Sequence, residues 1–106
     1  MTLQWVNDQL GRLVSATTEY MDFVPDVPKP ATKVWRVVNK KSRKTLGVIQ
    51  WWGPWRQYII NFRKGIMTGE ELVFSSSCLN DIQRFLDRVN CERHLAMQIK
   101  RKEVHG

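Results

Sequence analysis

The sequence predicts an α+β domain: a three- to four-stranded antiparallel β-meander packed against a C-terminal helix, with an N-terminal helix carried on a Pro-rich tether. Three observations predict it. Runs rich in Val, Ile and aromatic residues recur between residues 33 and 63 with turn-forming segments between them. Apolar residues at helical spacing follow a serine cluster after residue 75. Three prolines crowd residues 25–30. A chain of 106 residues that is 42% hydrophobic holds enough material for one core and too little for two.

From Leu3 the apolar residues fall at 3, 6, 10, 13, 14 and 17, close to the spacing of one helix face, so a helix is expected from about Leu3 to Tyr20. Gly11 weakens it by about 1 kcal/mol relative to alanine. In MDFVPDVPKPATK, Pro25, Pro28 and Pro30 lack amide donors, which predicts an extended tether and not a central strand. The expected division is therefore 1–32 for helix and tether, 33–94 for the meander and its helix, and 95–106 for a basic tail.

The meander reads KVWRVVN, TLGVIQWW and QYIINFR, with ELVFS as a further short edge strand. Trp51 and Trp52 are neighbours, and successive strand side chains point to opposite faces, so one sheet face cannot take both. A four-residue turn at 53–56 sets Trp52 opposite Gln57 and puts Trp51–Tyr58, Ile49–Ile60 and Gly47–Phe62 on the other, core face. In the first strand, Trp35 and Val37 go inward and Arg36 outward, because burying an unpaired guanidinium costs several kcal/mol. Ser75 to Ser77 offer N-cap oxygens for a helix from about Cys78 to His94, whose Leu79, Ile82, Phe85, Leu86 and Val89 cover the core face.

The formal charge is +7, and its distribution carries more information than its size. Residues 1–32 hold two bases against four acids, and residues 67–106 hold six of each. The excess lies between Lys33 and Ile66, where nine bases meet no acid. Single-sign charge also serves solubility, but an acid-free window of this length points to an anionic partner, nucleic acid above all. The candidate contacts are Arg36, Lys40, Lys41, Arg43, Lys44, Arg56, Arg63 and Lys64 for phosphates, with Trp52 and Trp55 as surfaces on which unpaired bases stack. The same mixed face, with Val34, Val38, Leu46, Val48, Gln50 and Ile59, also suits a covering N-terminal helix, a partner protein or a second copy.

Chemistry of other kinds finds little support. Cys78, Cys91 and His94 give a ligand-like C-x₂-H piece without a fourth ligand, and Glu70 and Glu71 read as a solvated turn. No nucleophile motif or Gly-rich phosphate loop occurs, so the expectation is a non-enzyme without cofactor or metal. No run approaches the roughly 18 apolar residues of a membrane span, and two cysteines make no disulfide scaffold, which predicts no membrane partner and a reducing cytoplasm.

The motifs W-x-V-x-N-x-x-S (35–42), L-G-x-I-x-W (46–51) and P-W-R-x-Y (54–58), ahead of a helix beginning F…L-x-x-I-x-x-F (74–85), resemble those of small uncharacterised phage and prophage proteins. The resemblance covers about residues 33–89. It implies a mobile-element origin, the cytoplasm of a bacterial host, and two functional classes for a monomer or homodimer. One is a module that binds single-stranded or structured DNA or RNA. The other is an anti-CRISPR-like inhibitor of a host protein or ribonucleoprotein complex, working through the same sheet face.

Overall fold

The structure is a computed structural model that describes residues 3–26, 32–62 and 74–105. Among these residues, six strands form one antiparallel sheet in chain order: β1 (Gln4–Asn7), β2 (Leu13–Thr17), β3 (Met21–Pro25), β4 (Trp35–Asn39), β5 (Thr45–Trp52) and β6 (Gln57–Asn61). One helix, α1 (Ser76–His105), packs on one face. The α+β class stands, while the predicted N-terminal helix and the count of three to four strands do not.

The N-terminal segment forms β1, β2 and β3, which add to β4 in the same sheet. Its apolar spacing imitates a helix because a bulge at Val6/Asn7 shifts the two-residue alternation and a turn carries Leu10 into solvent. Asp8 makes that turn: its Oδ1 accepts the Leu10 and Arg12 amides at 2.9 Å, and Gly11 takes the left-handed φ of 76° that the turn requires. Thr18 and Asn39 open the next two described hairpins in the same way. Thr18 Oγ1 accepts the Met21 amide at 3.0 Å, and Asn39 Oδ1 accepts the Lys41 and Ser42 amides at 2.9 and 3.0 Å.

The tether is corrected too. Met21–Pro25 is the third of six strands, and Pro25 ends it opposite Trp35, where a missing donor interrupts no further ladder. The expected boundary near residue 32 therefore falls between two paired strands. Pro28 and Pro30 lie outside the described residues, as do most of the predicted ELVFS strand and Glu70 and Glu71.

The β5–β6 hairpin follows the predicted register, with Trp52 opposite Gln57, Trp51 opposite Tyr58 and Ile49 opposite Ile60. Pairing stops at Asn61, so Phe62 does not cover Gly47. Ile60 does, its Cγ1 lying 3.2 Å from where a Gly47 side chain would begin, and the Phe62 ring packs against Phe74 instead.

The core lies between this face and α1. Phe85, fully buried, stacks on Phe23 at 4.4 Å and meets the edge of Trp35 at 5.3 Å. Leu3, Leu13, Ala16, Met21, Val37, Ile49, Tyr58, Ile82 and Val89 complete it. Ser75 caps α1 by accepting the Cys78 amide at 3.2 Å. The helix runs past the predicted end at His94, and residues 95–105 continue it where a tail is expected. Asn90 fastens it to the sheet: its Oδ1 accepts the Tyr58 amide at 2.6 Å and its Nδ2 donates to the Tyr58 carbonyl at 3.2 Å.

Candidate functional site

With α1 on one face, the opposite face of the sheet carries no covering element among the described residues. Cross-strand partners share a face, so the register sorts this surface into rows. One row runs Val24–Arg36–Val48–Asn61 across four strands, followed by Gln50–Ile59 and then Trp52–Gln57 at the edge. Val24, Val38, Val48, Gln50 and Ile59 are all half-buried, as expected for side chains flanked within a sheet but open above it.

The two tryptophans at 51 and 52 part as their alternation requires. Trp51 faces inward, edge-on to Tyr58 at 5.5 Å, with the Arg93 guanidinium 5.0 Å from its ring centre. Trp52 faces outward and is 40% exposed. It meets Trp55, 68% exposed on the following turn, edge to face at 6.5 Å. Gly53–Trp55 form a single 3-10 turn that ends at Arg56, whose φ of 51° is left-handed. The turn thus raises Trp55 and Arg56 beside Trp52 at one end of β5.

The basic residues divide. Lys40, Lys41, Arg43 and Lys44 belong to the β4–β5 turn, at the other end of β5. Seven residue steps at about 3.3 Å each put the two ends roughly 23 Å apart. Arg36 stands between them on the open face, paired across the sheet with Val48. The structure therefore places eight predicted residues on or at the ends of one face, in two clusters with a link, where the sequence suggests a single patch. Arg63 and Lys64 lie outside the described residues.

Two acids reach this face that the sequence window hides. β3 lies beside β4, so Asp26 comes within 3.8 Å of Arg36, and Asp22 within 3.8 Å of Lys40. Asp22 is held in turn by Thr17, whose hydroxyl donates to it at 2.6 Å. Exposed pairs of this length are worth about 0–1 kcal/mol, so an incoming phosphate displaces them at little cost. Among the described residues, no carboxylate forms an ion pair with Lys41, Arg43 or Arg56.

Arg43 and Arg56 share a further property. Both adopt left-handed backbone, at φ 62° and 51°, where glycine or asparagine is the ordinary occupant. Each hairpin flanking β5 thus carries an arginine where local conformation favours another residue.

The sites considered for other chemistry do not assemble. Among the described residues, no group of three His, Cys, Asp or Glu side chains converges as a metal site. Cys78 and Cys91 are thirteen positions apart on α1 and both unbridged, and His94 Nε2 instead contacts the Gln98 amide at 3.0 Å. No described helix is long and apolar enough to cross a membrane.

Comparison with known proteins gives one relative to set beside this geometry. The chain is 37% identical over 79 residues to an "Uncharacterized 9.3 kDa protein" of Acholeplasma phage L2, a match spanning 73% of this chain and 92% of that protein. No protein-family model and no solved structure matches the chain.

Proposed function

The chain belongs to the family of that small phage protein, and on this premise we propose that it is a non-enzymatic binding protein that holds single-stranded or structured nucleic acid on its open sheet face, in the host cytoplasm. The observation that carries the reading is the joint placement of Trp52, Trp55 and Arg56 at one end of β5 and the cations of the β4–β5 turn, Lys41 and Arg43 among them, at the other. Unpaired bases stack on Trp52 and Trp55, each stack being worth roughly 1–3 kcal/mol. Arg56, Arg36 and the cations of the β4–β5 turn follow the phosphates. The polymer then lies along β5, and the half-apolar rows beneath it tolerate any base.

The arginine backbones favour this reading over a solvated surface. Left-handed backbone costs a non-glycine residue roughly 1–2 kcal/mol, whereas a positive charge needed only for solubility has many unstrained positions. Titrating a labelled single-stranded oligonucleotide with the protein at several salt concentrations tests it. Binding that weakens as Trp52 or Trp55 is replaced by alanine, without loss of melting temperature, is the expected result. The half-buried apolar side chains of Val24, Val38, Val48 and Ile59 on this face favour a second reading, in which a host protein covers it in the manner of an anti-CRISPR inhibitor. A host-lysate pull-down that survives nuclease treatment and captures one protein selects that reading instead.

A further inference from the structure

The open face has tryptophans and an arginine at one end of β5 and a cluster of cations at the other. A further exposed aromatic stands at that second end. Tyr20, on the turn between β2 and β3, is 53% exposed. It lies one step beyond the Met21–Asn39 pair, opposite Lys40, and the Lys40 amide donates to its carbonyl at 2.9 Å. Met21 is buried in the core, so strand alternation turns Tyr20 and Lys40 toward the open face. The Lys40 ammonium agrees, lying 3.8 Å from Asp22, the next outward residue of β3. Tyr20, Asn39, Lys40, Lys41 and Ser42 line one recess of about 480 Å³ together with Glu19.

An exposed tyrosine by itself requires no explanation. This one differs in how it is held. Thr18, itself buried, accepts the Tyr20 amide at 3.2 Å and the Met21 amide at 3.0 Å through its Oγ1, so the turn is fixed from within the sheet. These bonds use the main chain of Tyr20 and leave its ring to the recess. We propose, resting on the nucleic-acid reading of the open face, that Tyr20 is a second platform for an unpaired base, with Lys40 and Lys41 taking the adjoining phosphates. The ligand is then a single strand long enough to bridge both platforms.

The chemistry of the recess suits that ligand. A phenol ring beside two lysines repeats the arrangement of Trp52 and Trp55 beside Arg56, a π-face next to a cation, which fits a base together with its phosphate. Glu19 shares the recess and opposes a phosphate, but two cations face it, and the exposed pair of Lys40 with Asp22 yields at little cost. The strand length follows from the register. Lys40 is two positions beyond the Val38–Thr45 pair and Trp52 is seven positions along β5 from it. Nine steps of about 3.3 Å, with two strand spacings of about 4.8 Å between β3 and β5, set the platforms roughly 30 Å apart. A strand advancing about 3.4 Å per nucleotide, as in a duplex, covers this with about nine nucleotides, and a more extended one with fewer.

Fluorescence anisotropy of the full chain with labelled single strands of about 15 and about 4 nucleotides tests the proposal, the first able to bridge the platforms and the second too short. Tyr20→Ala should weaken binding of the longer strand by roughly 5- to 150-fold, the equivalent of one lost base stack. Its melting temperature should not change, since the main-chain bonds of the turn remain. Tyr20→Phe should bind as wild type does, because the ring and not the hydroxyl carries the stack. On the shorter strand Tyr20→Ala should change the affinity by less than about 2-fold, the tryptophan platform holding it alone. Leu79→Ala, exposed on α1 across the sheet, should alter neither. If Tyr20→Ala binds the longer strand as wild type does while Trp52→Ala binds it less tightly, the second platform is overturned and the nucleic-acid reading stands. An equal loss on both strands, a loss that Tyr20→Phe shares, or a loss accompanied by a lower melting temperature overturns the platform too. Wild-type protein that binds neither strand overturns both.

Discussion

Arg56 and Arg43 allow binding and stability to be separated. Glycine at either position relieves the left-handed strain, about 1–2 kcal/mol, and returns part of it as greater freedom of the unfolded chain, about 0.4–1 kcal/mol. Arg56→Gly and Arg43→Gly should therefore melt at or slightly above the wild-type temperature. If these arginines hold phosphates, each variant should also lower the slope of log K against log salt by about 0.7, the value for one contact to a single strand. A variant that loses stability and keeps its salt slope would assign the arginine to the fold. Asp8 offers a pH-dependent counterpart. The Arg12 amide above all, and then the Arg12 guanidinium and the Leu10 amide, hold its carboxyl below the ordinary carboxylate value against a desolvation that is second in size only to the Arg12 amide. A depressed folded pKa means the stabilisation is complete at neutral pH and fades as pH falls through that pKa. Melting curves of wild type and Asp8→Asn should accordingly converge in acid and diverge toward neutrality.

Among the elements, β5–β6 and α1 were legible and β1–β3 were not, for a physical reason. From Gly47 to Trp52 the alternation of β5 is unbroken, so Trp51 and Trp52 had to part, the irregularity of the β4–β5 register falling before it at Leu46, and Arg36 on β4 had to point outward because burying an unpaired guanidinium is costly. In β1 a bulge and an exposed Leu10 turned a two-residue period into an apparent helical one, while Trp5, half-buried against Phe85 at 6.0 Å, was left out of that pattern. The Asp8-to-Gly11 turn was the signal available. The prolines misled because Pro25 ends a strand where no donor is missed. Consequently the N-terminal strands are integral: Leu13, Ala16, Met21 and Phe23 all enter the core. Deleting residues 1–26 should abolish cooperative melting, and Phe85→Ala should cost about 3–5 kcal/mol, a large share of the roughly 5–15 kcal/mol available to a domain of this size. Asn90→Ala, which strips both partners from the Tyr58 backbone, should cost about 1–3 kcal/mol. Near-native melting of either point variant would contradict the helix-on-sheet packing described.

For the whole molecule, one sheet serves two surfaces. Its inner face takes the first 19 residues of α1, Ser76 to His94, and its outer face carries no covering element among the described residues. The sequence located the basic excess but not its environment, because distance along the chain cannot show that β3 carries Asp22 and Asp26 to within 3.8 Å of Lys40 and Arg36. The positive surface is therefore strongest at the two ends of β5 and weakest between them, a pattern suited to a polymer that spans both. The most direct measurement is the affinity of wild type, Trp52→Ala and Trp55→Ala for a single-stranded oligonucleotide, taken by fluorescence anisotropy alongside melting temperatures. The reading requires wild-type binding that weakens with salt, a loss of roughly 1–3 kcal/mol in each variant, and unchanged melting. Absence of wild-type binding at low salt, or tryptophan variants that lose stability with no loss of affinity, would contradict it.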